Sequence, residues 1–331
     1  MPDDPEQFPS VPQMLHAWNP PGPVYCIYPH VYEESTRAFL EGFPGRVLYA
    51  VKSNDEPAVV RHLYRAGLRH FDCASLPEIE RIHSLCPGAT CYFMVPVYLP
   101  GAARAAQRAF GVRHFMVDHA AGIDALSAEI SMAGSVVFAR MAVSHGSASM
   151  DLSSKFGAPP SKVPGLLGQI ADTGAEPALA FNVGTLVTHP DAYSHAMEVA
   201  AGMLDGLDFR VRLIDIGGGF PRSYPGFPVP PMEEFFDAVR AGRRALPLKE
   251  NGELLAEPGR ALSAPGLSAV VRVLLRKDNR LYLTDGMYGI FWELRFKAHT
   301  RYPVRVFRGG ESLDGAESMF RLFGPTCDAS D

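Results

Sequence analysis

Short apolar runs recur along the chain, and stretches with helical spacing fill the intervals between them. Strand-like runs stand at 46–52, 70–75, 90–96, 114–119, 135–143, 178–184, 212–217 and 253–257. Helical patterns lie near 57–66, 77–84, 101–110, 120–133, 163–173, 191–204 and 232–245. Strands separated by helices of this length pair in parallel through crossover connections, and eight such units predict a (β/α)8 TIM-type barrel; a doubly wound open sheet is the competing architecture. Ahead of the pattern, Val24 to Tyr28 reads as a strand, and Val31 to Phe43 as a helix closed by Gly42 and Pro44.

A barrel carries its chemistry at the C-terminal ends of its strands. Polar residues fall there. Val47 to Val51 forms an uncharged run that ends in Lys52; the second strand ends in Asp72 and Ser75, and the fifth in Arg140. The sixth runs into Asn182-Val183-Gly184-Thr185, the seventh into Asp215-Ile216-Gly217-Gly218-Gly219-Phe220, and the eighth into Glu257-Pro258-Gly259-Arg260. Taken singly, each has an ordinary reading: a strand reaching solvent, a glycine loop, a surface ion pair. Together they have a chemical one. A lysine at the mouth suits Schiff-base chemistry, glycine backbone N–H groups with Arg260 and Thr185 suit a phosphate, and Glu257 suits a pyridine nitrogen kept protonated as part of an electron sink. That set describes a site for pyridoxal phosphate.

Composition narrows the alternatives. The 331 residues are 47% hydrophobic and 20% charged, enough for one large core or two moderate ones. A net charge of -5 and scattered Lys and Arg argue against nucleic acid as a partner. No apolar stretch approaches a membrane span, and the acidic, proline-rich start is unlike a signal peptide, so a cytoplasmic location is expected. The five cysteines, Cys26, Cys73, Cys86, Cys91 and Cys327, contain no CxxC pair, so neither a disulfide framework nor a metal site is expected.

Several short motifs resemble the ornithine/diaminopimelate/arginine decarboxylase family. They are Tyr49-Ala50-Val51-Lys52, Phe71-Asp72-Cys73-Ala74-Ser75 with Glu78, Ser154-Lys155-Phe156-Gly157, Asp215 to Pro221, Glu257 to Arg260, and Gly324-Pro325-Thr326-Cys327-Asp328. The resemblance implies an alanine-racemase-like fold, with a pyridoxal-phosphate barrel over 28–262 and a discontinuous β domain built from 1–27 and 263–331. It implies that Lys52 binds the cofactor covalently, that Asp72, Arg140, Asn182 and Thr185 lie around it, and that Glu257 meets the ring nitrogen. Gly217, Gly218, Gly219, Gly259 and Arg260 would hold the phosphate, and Lys155 would belong to a loop closing beside the site. Cys327 and Asp328 are similar to a pair donated across a head-to-tail homodimer, the thiol protonating the α-carbon after carbon dioxide leaves and the carboxylate meeting the substrate's distal amine. A basic amino acid such as ornithine or lysine is the implied substrate.

Three departures qualify the substrate and the activity. Asn182 stands where the family generally has a histidine. Phe296-Lys297, downstream of Asp285-Gly286-Met287-Tyr288-Gly289, occupies the substrate-binding position where the ornithine branch has an acid, and a lysine there repels a cationic tail unless it turns outward or meets a second carboxylate. Family members continue beyond the Cys-Asp motif, whereas this sequence stops at Asp331, so the β domain is expected to be incomplete. A catalytically impaired homologue that serves as a binding or regulatory partner is the second functional reading.

Overall fold

We describe the protein from a computed structural model, whose described residues are 6–143, 146, 148–150, 154–295, 301–316 and 318–331. Two compact units divide it: one comprises Pro29–Arg222 with Val229–Gly266, the other the residues up to Tyr28, Ser223–Pro228 and Leu267–Asp331.

In the larger unit the strands Arg46–Ala50, His70–Cys73, Thr90–Phe93, His114–Val117, Val136–Met141, Glu176–Phe181, Leu213–Asp215 and Glu253–Ala256 form a closed parallel barrel in chain order. The eighth closes on the first, with Leu255 beside Arg46 and Ala256 beside Val47. The barrel expectation is met and the open sheet is excluded. One buried cluster, which includes Leu48, Tyr92, Met116, Phe138, Leu213 and Leu255, fills the interior at alternate strand positions. On the second strand the positions in register with this face, His70 and Asp72, are polar and lie at opposite ends of the barrel.

Around the barrel the helices start where the sequence supplies caps. Ser75 Oγ accepts from Glu78 N at 3.4 Å, and Glu78 Oε2 accepts from Ala74 N at 2.7 Å. This near-reciprocal capping box starts Leu76–Leu85. The helix Pro29–Gly42 begins two residues earlier than the periodicity suggests.

At the strands' N-terminal ends lies a polar floor. Arg46 donates to Tyr92 Oη at 2.8 Å and pairs with Glu253, while Arg212 forks onto Glu176 at 2.8 and 3.0 Å. The His114 ring stacks on Tyr92 with centroids 4.0 Å apart, and His70 meets the same tyrosine edge-on at 5.9 Å. Both imidazole Nδ1 atoms are buried without a hydrogen-bond partner. Burial, reinforced by Arg46, pushes each imidazole down to about 4.

The smaller unit pairs Val24–Ile27 antiparallel with Leu267–Val270, Cys26 lying beside Ser268. It also holds a three-stranded sheet of Val273–Lys277, Arg280–Leu283 and Arg321–Phe323, and a helix, Val11–Ala17, whose N-cap Ser10 accepts from Gln13 N. The compact units divide after Tyr28 and Gly266, and Ser223–Pro228, inside the stretch expected to be barrel, groups with this unit.

Candidate active site

Lys52 does not sit in the strand, as expected from the sequence, but in a single 3-10 turn, Val51–Ser53, that follows it. Ser53 locks this turn: its Oγ donates to the Ala50 carbonyl at 2.8 Å, while Tyr49 Oη donates to the Asn54 carbonyl at 2.9 Å. The turn lifts Lys52 off the strand axis and lets Nζ donate to Asp72 Oδ2 at 2.9 Å. The lysine side chain is 55% exposed, whereas Asp72 is wholly buried. Burial works against the ammonium, but the Asp72 and Glu257 carboxylates outweigh it and raise the lysine's pKa.

Three acids therefore gather at the mouth of the barrel: Asp72, Asp215 and Glu257. Burial, with the neighbouring Asp215 and Asp72 charges, holds the Glu257 carboxyl well above the usual carboxylate range, against the pull of Lys52 and Arg140. Burial likewise pushes Asp215 up to about 7, although it accepts from Gly217 N at 2.8 Å. Arg140 lies with its guanidinium 5.6 Å from the Phe156 ring, and Lys155 covers the same ring at 4.8 Å. Their loop is anchored where Gly157 N donates to Asp118 Oδ2 and Ala158 N to the Arg140 carbonyl.

The glycine loop after strand seven is set by close approach of other backbones. A Cβ at Gly217 would come 2.5 Å from the Phe181 carbonyl oxygen, one at Gly218 2.6 Å from that of Glu257, and one at Gly219 2.6 Å from that of Gly184. Gly217 and Gly219 also take φ of +71° and +96°, which other residues rarely adopt. Tyr193, which sequence reasoning overlooked, donates its buried hydroxyl to the Gly218 carbonyl at 2.8 Å and stacks on Phe220. Gly259 packs against Ser53 of the lysine turn, and Arg260 opens the short helix after it. Thr185 pairs with Met150 across a small antiparallel ladder. Asn182 Oδ1 accepts from Gly184 N at 2.9 Å, so this side chain folds back on its own loop.

The structure thus brings Lys52, Asp72, Arg140, Asn182, the three glycines, Glu257, Gly259 and Arg260 to one rim of the barrel. Cys327 and Asp328 belong to the other compact unit, where the thiol is exposed and Asp328 Oδ2 accepts from Tyr288 Oη at 2.6 Å. Phe296 and Lys297 lie outside the described residues. Asp215 was legible only as the polar end of a strand; its link to Glu257 was not. Among the described residues no cluster of His, Cys, Asp or Glu suits a metal ion, and no helix is long and apolar enough to cross a membrane.

The rim fits pyridoxal phosphate on its own evidence. Glu257 Oε1 is buried without a hydrogen-bond partner, an amine stands in the same electrostatic field, and a side-chain-free backbone loop lies beside both.

Comparison with known proteins agrees. The family described as pyridoxal-dependent decarboxylase, pyridoxal binding domain, matches residues 31–264. The chain is 30% identical to the lysine/ornithine decarboxylase of Selenomonas ruminantium, over 84% of this chain and 73% of that protein. It is also 28% identical to antizyme inhibitor 2 of Xenopus laevis, over 88% of this chain and 68% of that protein. Among solved structures, lysine/ornithine decarboxylase complexed with cadaverine from Vibrio vulnificus superposes with a TM-score of 0.81 at 26% identity, covering 97% of this chain and 87% of that one. Lys52 and Glu257 share one electrostatic field at the mouth of this barrel, and the chain belongs to the pyridoxal-dependent decarboxylases, as an amino-acid decarboxylase with pyridoxal 5′-phosphate as its cofactor.

Proposed function

We propose that the chain decarboxylates a basic diamino acid, ornithine or lysine, to the corresponding diamine. The observation that carries this reading is the shared field of Lys52, Asp72 and Glu257 at the barrel mouth, in a chain whose relatives are lysine and ornithine decarboxylases.

Lys52 would hold the cofactor through Nζ, and Asp72 fixes where that nitrogen sits. Glu257 would meet the ring nitrogen and hold a proton there. Gly217, Gly218, Gly219, Gly259, Arg260 and Thr185 would hold the phosphate, with Arg140 and Asn182 on the ring's side of the rim. When bound, pyridoxal phosphate supplies an electron sink for the pair left on the α-carbon as carbon dioxide departs. Cys327 of the partner subunit then donates a proton to that carbon, and Asp328 of the partner subunit accepts the substrate's distal ammonium. Each site is complete only in a head-to-tail homodimer.

The test is direct. Protein purified with pyridoxal phosphate should be yellow, borohydride should fix the label on Lys52, and lysine or ornithine should release carbon dioxide with the diamine as product. A second reading, a homologue that binds a partner without turning over substrate, is favoured by the self-satisfied Asn182 and by the kinship with antizyme inhibitor 2. It predicts a protein that releases no carbon dioxide from any basic amino acid.

A further inference from the structure

Asp215 ends the seventh strand wholly buried, and the mechanism above gives it no task. Its position is nevertheless specific. Asp215 pairs in register with Leu255, two residues before Glu257, so both acids project from neighbouring strands onto the same inner face. Glu257 N donates to the Gly217 carbonyl at 2.8 Å, which ties the two strand ends together just above. Glu257 acts on the Asp215 carboxyl as a side-chain hydrogen-bond partner. Asp215 Oδ1 is taken by Gly217 N, leaving Oδ2 for the glutamate. Both Asp215 Oδ2 and Glu257 Oε1 are buried, and neither meets a donor.

Two acceptor oxygens buried side by side repel unless a proton lies between them. We propose that Asp215 is a positioning residue for Glu257: one proton is shared between Asp215 Oδ2 and Glu257 Oε1, which fixes the glutamate's orientation and leaves its other oxygen for the ring nitrogen. The inference rests on the reading of Glu257 given above. Lys52, Arg140 and Asp72 are the other charged groups acting on the pair. No net charge is created when the proton moves: as Glu257 ionises against a cationic ring, the proton passes to Asp215, whose raised affinity for it matches the task.

Two measurements test this. Infrared spectroscopy of the cofactor-stripped chain at neutral pH should show the carbonyl stretch of a buried protonated carboxyl that disappears in both Asp215→Asn and Glu257→Gln. Absence of the band in the unmodified chain, or its survival in either variant, overturns the proposal. Pyridoxal phosphate binding, followed by absorbance across pH, should weaken on the alkaline side more steeply in the unmodified chain than in Asp215→Asn, whose amide still donates to Glu257 but cannot ionise. Asp215→Ala should bind at least about tenfold more weakly than Asp215→Asn. Identical pH profiles for the unmodified chain and Asp215→Asn also overturn the proposal, since a purely structural aspartate leaves the profile unchanged. If no variant takes up pyridoxal phosphate while the infrared band behaves as stated, the carboxyl pair stands and the functional reading fails.

Discussion

Lys52 Nζ and Asp72 Oδ2 meet at 2.9 Å across the first two strands of the barrel, the amine at the surface and the acid beneath it. The raised pKa of Lys52 means that this pairing is complete at neutral pH and is lost only as the pH rises through the folded-state value. Asp72→Asn should therefore free the amine at lower pH. The pH midpoint for covalent labelling of Lys52 by pyridoxal phosphate and borohydride should fall by about one unit or more. An unmoved midpoint would show that Asp72 does not govern the nucleophile.

Gly219→Ala should be among the costliest single-methyl additions in the chain. Its φ of +96° and the Gly184 oxygen 2.6 Å from the new carbon cost about 2 kcal/mol or more. Tyr193→Phe, which strands the Gly218 carbonyl, should cost about 1–2 kcal/mol. Urea unfolding gives both values, and the glycine variant should also lose most of its cofactor affinity in an absorbance titration.

The histidines of the barrel floor predict an acid-sensitive fold. Their folded-state values near 4 lie below the ordinary value near 6.5, so the neutral rings contribute stability that is complete above about pH 6.5 and is lost as the pH falls towards 4. Asp215 and Glu257 act with the opposite sign, because their folded-state affinity for protons is raised. The difference between the unmodified chain and His114→Phe isolates the imidazole. It should change by at most about 3 kcal/mol between pH 7 and pH 4.5 in urea titrations, with the variant the less acid-sensitive of the two. Equal acid sensitivity would exclude the floor as the cause.

Sharing of the active site across the proposed dimer would have a complementation signature. Lys52→Ala and Cys327→Ala chains, each inactive alone, should regain about a quarter of normal activity when mixed and allowed to exchange subunits, because one site in four is then intact on random pairing. A mixture as inactive as its parts would place both residues in one chain's site, whereas an active Cys327→Ala chain would remove Cys327 from the chemistry.

Much of the barrel was readable because its strands are apolar runs with polar ends, a pattern that follows from burial on both faces. The position of Lys52 was less so: a 3-10 turn of three residues has no periodicity to detect, and Val51 reads as strand. The helix Val11–Ala17 escaped amid prolines, although Ser10 and Gln13 carry the spacing of a capping box. The floor was invisible for a different reason. His70 and His114 are first residues of strands, where a polar side chain is unremarkable, and only the parallel pairing of strands two, three and four brings both to Tyr92. Asp215 and Glu257 are likewise joined only by the pairing of strands seven and eight.

The three glycines after strand seven lean on oxygens supplied by two other connections of the chain, at Phe181 and Gly184 after strand six and at Glu257 after strand eight. Loop length at this rim is consequently as constrained as residue identity. A single insertion after strand six or strand eight displaces the mould in which the glycine turn is cast, even with every glycine retained. Divergence among related chains should thus concentrate at the opposite ends of these connections, where helices return to the floor.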